Sequence, residues 1–333
     1  MKIGIVLRDK YGACEWYRLI LPFEYLKPEL AKFNIEIEYI YESNIINNTT
    51  YYDIIYLAKH SIRKLFKQIR SHGKYIIFDV DDYFLYRPDF VIWLRYADRI
   101  TTTNERLKAK ILEYKIGVDI DVFENSIPHL DPKYNISKNN DVFNIGYLGH
   151  NSHLKDFCLL QNLNPRLNEV LNNHKFTLYG YEITERHQAS EGYVNILTDN
   201  RNCVDNFEVV GFVPVNQFFN LYSNVTVSLA PLIITPFNQC KSNLKFLEAA
   251  ISNTFFIGSD IITYSDIVVD GYNGFLAKDN NEFVEKIVDI SRNIDKYQYI
   301  LDNAKKDVIN KLNFYSIQSL RLEYILNILG IKL

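Results

Sequence analysis

Nowhere in the sequence do apolar residues run on for the roughly 18 positions that a membrane-crossing helix needs. The opening stretch, MKIGIVLRDK, stops being apolar at Leu7, too soon for a signal peptide. Cysteine is scarce. Cys14, Cys158, Cys203 and Cys240 stand far apart and form no CxxC, which points to free thiols in a reducing compartment. His60, His72, His129, His174 and His187 show no metal-ligand spacing. A net charge of −3 leaves no overall basic footprint for nucleic acid. Low-complexity runs and disordered tails are absent as well. The expectation is a cytoplasmic protein, at most peripheral on a membrane.

What is present is alternation. The 333 residues suffice for two ordinary α/β domains. Short β-rich runs at 3–7, 35–41, 53–58, 75–80 and 99–103 are separated by helical patterns at about 18–32, 61–71 and 104–115. A polar segment, 127–141, reads as a linker. The pattern then restarts, with strands at 143–149, 175–181, 208–213, 225–232, 254–260 and 274–277. Helices are expected at about 153–172, 215–223, 242–252 and 280–292, and a last amphipathic one follows in YSIQSLRLEYILNILG. Strands separated by helices predict two doubly wound, Rossmann-like α/β domains with parallel sheets. Their expected extents are 1–135 and 136–312, with a helix at 313–333 returning to the first. Ligands of such sheets bind outside the strand C-terminal ends, so a cleft between the two sets of ends is the expected site.

The stretch CKSNLKFLEAAISN (240–253) reads as a helix entered through Ser242 and Asn243. Lys241, Lys245 and Glu248 fall at i, i+4 and i+7 and are expected on one face. A helix start with two lysines suits a phosphate. A carboxylate one turn deeper can accept from ribose hydroxyls. The plainer alternative is a solvated helix in which Glu248 balances the lysines.

The order of motifs from 143 onward resembles the C-terminal domain of GT-B-fold glycosyltransferases, above all the retaining family-four (group 1) enzymes that use nucleotide sugars. Gly211, Val213 and Pro214 fit that family's G-x-V-P turn, and Pro231 its strand end. Glu248-Ala249-Ala250-Ile251-Ser252-Asn253 resembles its EAMA-type helix, and Asp270, Gly271, Asn273, Gly274 and Leu276 its D-G-x-N-G-x-L segment. The resemblance implies that Glu248 holds the donor ribose. It implies that the loop Ile262-Thr263-Tyr264-Ser265 offers backbone donors to the diphosphate. In GHNSHLK the family's Arg/Lys pair becomes His150 and Lys155, and the first glutamate of its E-x7-E motif becomes Cys240. Cys240 is expected to be a small buried residue. Lys155, Lys241, Lys245 and the helix dipole are expected to stabilise the departing diphosphate without a metal or other cofactor.

The first half offers acceptor-side candidates. GACEWYRLILP places Gly12 in the first strand-to-helix turn and Arg18 after it; Tyr17, Arg18 and Pro22 match one branch of the resembled family. FDVDD (78–82) sets Asp79, Asp81 and Asp82 at a strand end. A D-x-D could hold a metal in another glycosyltransferase fold, but the donor signature lies in the second half. Asp81 or Asp82 is therefore assigned to the acceptor, with a solvated acidic turn as the alternative. His153, in GHNSH, belongs with these cleft residues. Residues 59–74 carry six Lys/Arg and no acid, with Ile62, Leu65, Phe66 and Ile69 in one stripe. That is a core-facing helix with a basic outer side, or a contact for anionic lipid or nucleic acid. The resemblance implies transfer of a sugar from a UDP- or GDP-sugar to a surface or lipid-linked glycan. Alternatives are a DNA glycosyltransferase acting on hydroxymethylated bases, a nucleotide-sugar epimerase, and a non-catalytic binding protein of the same fold.

Overall fold

The computed structural model describes residues 1–8, 12–45, 49–58, 63–139, 141–149, 153–180 and 207–332. These divide into two units. The first comprises Met1–Ser126, Gln239–Ser242 and Leu312–Leu333; the second comprises Ile127–Asn238 and Asn243–Lys311.

The first unit is built on a six-stranded parallel sheet of order β2-β1-β3-β4-β5-β6. Its strands are β1 (Lys2–Leu7), β2 (Glu36–Tyr41), β3 (Ile54–Ala58), β4 (Tyr75–Val80), β5 (Arg99–Thr102) and β6 (Asp119–Val122). β1, β3 and β4 are almost continuously apolar, as strands covered on both faces must be. β6 escapes a reading based on hydrophobic runs because its sequence is DIDV and only Ile120 is buried. The chain moves from β1 to β2 on one side and then to β3 on the other, so the switch point lies between β1 and β3. A wide turn at Trp16–Ile20 leads into α1 (Leu21–Ala31). α2 (Arg63–Ser71) is the described part of the basic stretch. Leu65, Phe66 and Ile69 are fully buried in the core, and Arg70 makes two 2.9 Å bonds to Asp98. Ile62 lies outside the described residues. α3 (Pro88–Leu94) was not expected; α4 (Glu105–Leu112) starts where Asn104 accepts from the Leu107 amide at 2.9 Å.

The second unit repeats the plan with order β12-β11-β10-β7-β8-β9. The strands are β7 (Phe143–Leu148), β8 (His174–Tyr179), β9 (Phe207–Val210), β10 (Val227–Ala230), β11 (Phe255–Ser259) and β12 (Phe275–Ala277). Its switch point lies between β7 and β10. The helix expected over 153–172 is broken into α5 (Leu154–Phe157), a 3-10 turn at Cys158–Leu160, and α6 (Leu163–Asn168). Asn162 interrupts it with φ +57°, a left-handed conformation that asparagine tolerates. Pro165, with no N–H, is confined to the first turn of α6. α7 (Val215–Phe218) and α8 (Leu244–Ile251) are short, α9 (Ile262–Ser265) is a single turn, and α10 (Asn280–Arg292) has the expected bounds. α11 (Gln298–Lys311) was not expected. The final helix, α12 (Phe314–Ile328), packs Ile325 and Leu326 into the core of the first unit. No helix among the described residues is long and apolar enough to cross a membrane.

The polar segment after Ser126 belongs to the second unit and is tied to it by Lys138. The ammonium donates to the carbonyls of Tyr222 and Val225, both at 2.8 Å, and to the Thr254 hydroxyl. Burial pulls this ammonium down to about 7, from an unfolded value of about 10.4. Between those values the unfolded chain binds more protons, so stability rises with pH. The urea midpoint of the wild type is expected to rise from pH 7 to 9.5 relative to that of Lys138→Met. An equal response in both chains would contradict this.

Candidate active site

The C-terminal ends of β7, β10 and β11 carry most of the donor-side residues. α8 follows Asn243, which occupies the cap position with φ −85° and ψ 23° and makes no side-chain capping bond. The helix starts at Leu244, not at 242, so Lys241 does not share a face with Lys245 and Glu248. The reason is tertiary. Gln239–Ser242 belongs to the first unit, where Asn104 Nδ2 donates to the Cys240 carbonyl at 2.9 Å and Arg106 Nε to that of Gln239 at 2.8 Å. There Lys241 stands 3.6 Å from Asp82, Ser242 Oγ accepts from Asn125 at 3.0 Å, and Cys240 is buried in the core. Burial pushes the Cys240 thiol up, so it is held as the thiol.

Lys245 and Glu248 remain on α8. The Lys245 ammonium donates to the carbonyl of Leu148, the last residue of β7, and lies 4.7 Å from the centre of the Tyr147 ring. It is thus fixed at the end of the central strand. Gly149 follows; a Cβ there would overlap the Tyr147 ring. Glu248 is 4% exposed, and the Tyr222 hydroxyl donates to it at 3.2 Å. Burial, and then the Glu248 charge, push the Tyr222 phenol far up, so it stays a donor.

In α9 the amides of Tyr264 and Ser265 both bond back to the Ile261 carbonyl at 2.9 Å. This corrects the expectation that those two residues supply diphosphate donors. The amides a helix start leaves over are those of Ile262 and Thr263. The Tyr264 ring is buried, 5.0 Å from that of Phe256. Val213 is half-buried before Pro214, which caps α7. Lys155 is exposed on α5. His150 lies outside the described residues.

Residues that the sequence did not single out connect these loops. Asp156, 5% exposed, takes His153 Nδ1 at 2.8 Å on one oxygen. Its other oxygen accepts from the Ile233 amide at 3.0 Å and from Asn238 Nδ2 at 2.7 Å. The Asn238 carbonyl accepts from the Thr263 hydroxyl, and Ser259 Oγ accepts from the Leu232 amide at 2.7 Å. An aspartate one position after Lys155 gives no motif signal; only the fold brings its partners together.

On the first unit, Arg18 is corrected from an acceptor-side residue to a structural one. It is 1% exposed and all five of its N–H groups are committed. Two meet Asp79, at 2.9 and 2.8 Å; the others meet the carbonyls of Phe123 and Thr102 and Asn125 Oδ1. Burial works against the guanidinium, but Asp79 outweighs it and the net shift is upward. Asp79 is therefore turned inward, away from the D-x-D role. Asp81 and Asp82 are half-buried after β4. Gly12 has φ −71° and ψ 140°, open to any residue, and its carbonyl accepts from the Trp16 amide at 3.0 Å.

Residues 140–293 match the family model described as Glycosyl transferases group 1. That stretch, a little under half of the chain, is similar to a group 1 glycosyl transferase domain, and it contains the ends of β7, β10 and β11 and all of α8 and α9. The solved structure of HepE from Anabaena, in complex with UDP and glucose, matches at TM-score 0.75 and 14% identity, over 98% of this chain and 99% of that one. Sucrose-phosphate synthase from Thermosynechococcus elongatus matches at 0.74 and 12%, over 99% of both chains. An alpha-glucosyltransferase in complex with UDP and a 13-mer DNA containing a HMU base matches at 0.67 and 12%, over 96% and 99%. At these identities the likeness shows the fold, the two-sheet GT-B architecture. A search of curated proteins finds no match to the sequence.

Proposed function

We propose that the glycosyl transferase domain binds a nucleoside-diphosphate sugar, most simply a UDP-sugar, at the C-terminal ends of β7, β10 and β11. The sugar passes with retention to an acceptor hydroxyl on a surface or lipid-linked glycan. The observation that carries this is the buried Glu248 carboxylate one turn inside α8, with Lys245 fixed beside the helix start. The HepE structures, with UDP or UDP-glucose bound, support a uridine donor.

Glu248 accepts the ribose hydroxyls, and the Tyr222 hydroxyl donates to the same carboxylate and helps to hold it in place. The amides of Ile262 and Thr263, the start of α8 and the ammonium groups of Lys245 and Lys155 oppose the charge that develops as the diphosphate leaves. The leaving phosphate oxygen takes the acceptor proton, so no separate protein base is required. No metal is assigned a role. Calorimetric titration with UDP- and GDP-sugars should show one donor binding equally with and without EDTA, with slow hydrolysis of that donor. Binding that collapses in EDTA would overturn the metal-free site, and no binding to any donor would overturn the reading itself.

A second acceptor, a hydroxymethylated base in DNA, is favoured by the DNA-bound structural neighbour and by the basic α2. Affinity for duplex DNA falling steeply with salt would support it. Binding to anionic liposomes without DNA affinity would support the lipid-linked acceptor.

A further inference from the structure

We propose that Asn104 is a positioning residue for the donor diphosphate, acting through the four-residue strap Gln239–Ser242 that leads into α8. This role rests on the donor reading above and adds a residue to it. The chain leaves the second unit after Asn238 and rejoins it at Asn243. Both ends are fixed. Asn238 is buried and donates to Asp156 at 2.7 Å and to the Ile233 carbonyl at 2.9 Å; α8 is rooted by the buried Phe246 and Leu247. Beyond Gln239 the strap forms neither helix nor strand, so its carbonyls need partners from elsewhere. The start of α4 supplies them. Asn104 Nδ2 donates to the Cys240 carbonyl at 2.9 Å and Arg106 Nε to that of Gln239 at 2.8 Å, and both side chains reach that of Lys241 at 3.4 Å. Three successive carbonyls are thus held by two side chains of one helix start.

The Asn104 amide has two ends with two tasks. Oδ1 caps α4, accepting from the Leu107 amide at 2.9 Å. That settles which end is which, and Nδ2 is the end that donates to the strap. Asn104 is 8% exposed, and the Cys240 side chain, whose carbonyl it holds, is buried in the core. A buried side chain anchored by its own helix cap is a stiff support. Its bonds go to carbonyls, so they fix the path of the backbone. That path decides how Asn243, at φ −85° and ψ 23°, enters the first turn of α8. A helix start holds phosphate through N–H groups whose directions the chain sets. A strap that shifts turns those donors off the phosphate and leaves the ribose contact of Glu248, a turn deeper, in place.

The test is calorimetry with UDP-glucose and with uridine, which lacks phosphate. Wild type, Asn104→Ser, Arg106→Met and Glu248→Ala are compared, with thermal midpoints on the same preparations. Serine caps a helix about as well as asparagine, but it has no amide to reach the strap. Asn104→Ser therefore keeps α4 capped and releases only the strap. It should bind UDP-glucose about 10-fold more weakly, the equivalent of one hydrogen bond to a charged group, and bind uridine as the wild type does. Arg106→Met should move the same way. Unchanged UDP-glucose affinity in Asn104→Ser would overturn the proposal, while a loss in Glu248→Ala would leave the donor reading standing. Equal losses for uridine and UDP-glucose would mark Asn104 as structural and overturn it too. If Asn104→Ser does not fold, Arg106→Met decides: a loss confined to UDP-glucose supports the strap, and any other result overturns it. Wild type binding neither ligand would remove both readings.

Discussion

Replacing Arg18 by methionine is expected to cost about 3–5 kcal/mol of stability, the usual penalty for breaking a buried ion pair from one side. The change strands Asp79, at 2% exposure, with the Thr101 hydroxyl at 2.6 Å as its remaining side-chain donor among the described residues. It also takes a donor from the Phe123 carbonyl and from Asn125 Oδ1, while the Thr102 carbonyl keeps the Phe123 amide at 2.8 Å. The damage extends further, because Thr101 also bonds Tyr56 at 2.9 Å, and Tyr56 accepts from Arg321 of α12 at 3.2 Å. Arg321 is 1% exposed, and burial lowers it. Two buried cations thus share the field of Asp79, and the β4 carboxylate, the first wide turn and the C-terminal helix form one polar core. Thermal and urea unfolding of Arg18→Met, with Asp79→Asn as a milder companion, measure the effect. Affinity for UDP-glucose in the folded fraction is expected to be unchanged. Wild-type stability combined with lost catalysis would instead return Arg18 to the acceptor.

Glu248→Ala is expected to weaken UDP-glucose binding about 10- to 100-fold, the equivalent of losing one or two hydrogen bonds to a charged group. Stability should fall as well, since the Tyr222 hydroxyl, fully buried, loses the Glu248 carboxylate as acceptor. Glu248→Gln separates the two effects. An amide can still accept from Tyr222 and a ribose hydroxyl, but without the charge, so most of the stability should return and only part of the affinity. Tyr222→Phe keeps the carboxylate and should bind donor within a few-fold of wild type. The measurements are calorimetric affinity and thermal midpoint on the same preparations. Full affinity in Glu248→Ala would move the ribose away from α8 and with it the phosphate site.

The parallel strands were legible because strands buried on both faces write themselves as apolar runs: IGIVL is all but the first residue of its strand, and DIIYLA, YIIFDV and TFFIGSD each contain one. β6 was not, because DIDV buries one residue. α10 was legible to the residue because Asp279 caps it, accepting from the Glu282 amide at 3.0 Å, and its apolar period is regular. The helix at 153–172 was overextended because an isolated Asn162 in the left-handed region leaves no strong trace in composition.

The candidate site divides along the same line. The sequence by itself determined the family-like order of motifs, the alternation that makes two parallel sheets, and the placement of Lys245 and Glu248 within one helix, since spacing along a helix is a local property. Only the tertiary structure decided that Lys241 leaves that helix for Asp82, that Arg18 closes on Asp79, and that Asp156 gathers His153, Ile233 and Asn238. Each of those outcomes depends on which buried polar groups find partners far along the chain. A buried charge must be matched by whatever the fold brings to it, and residue spacing does not encode that meeting.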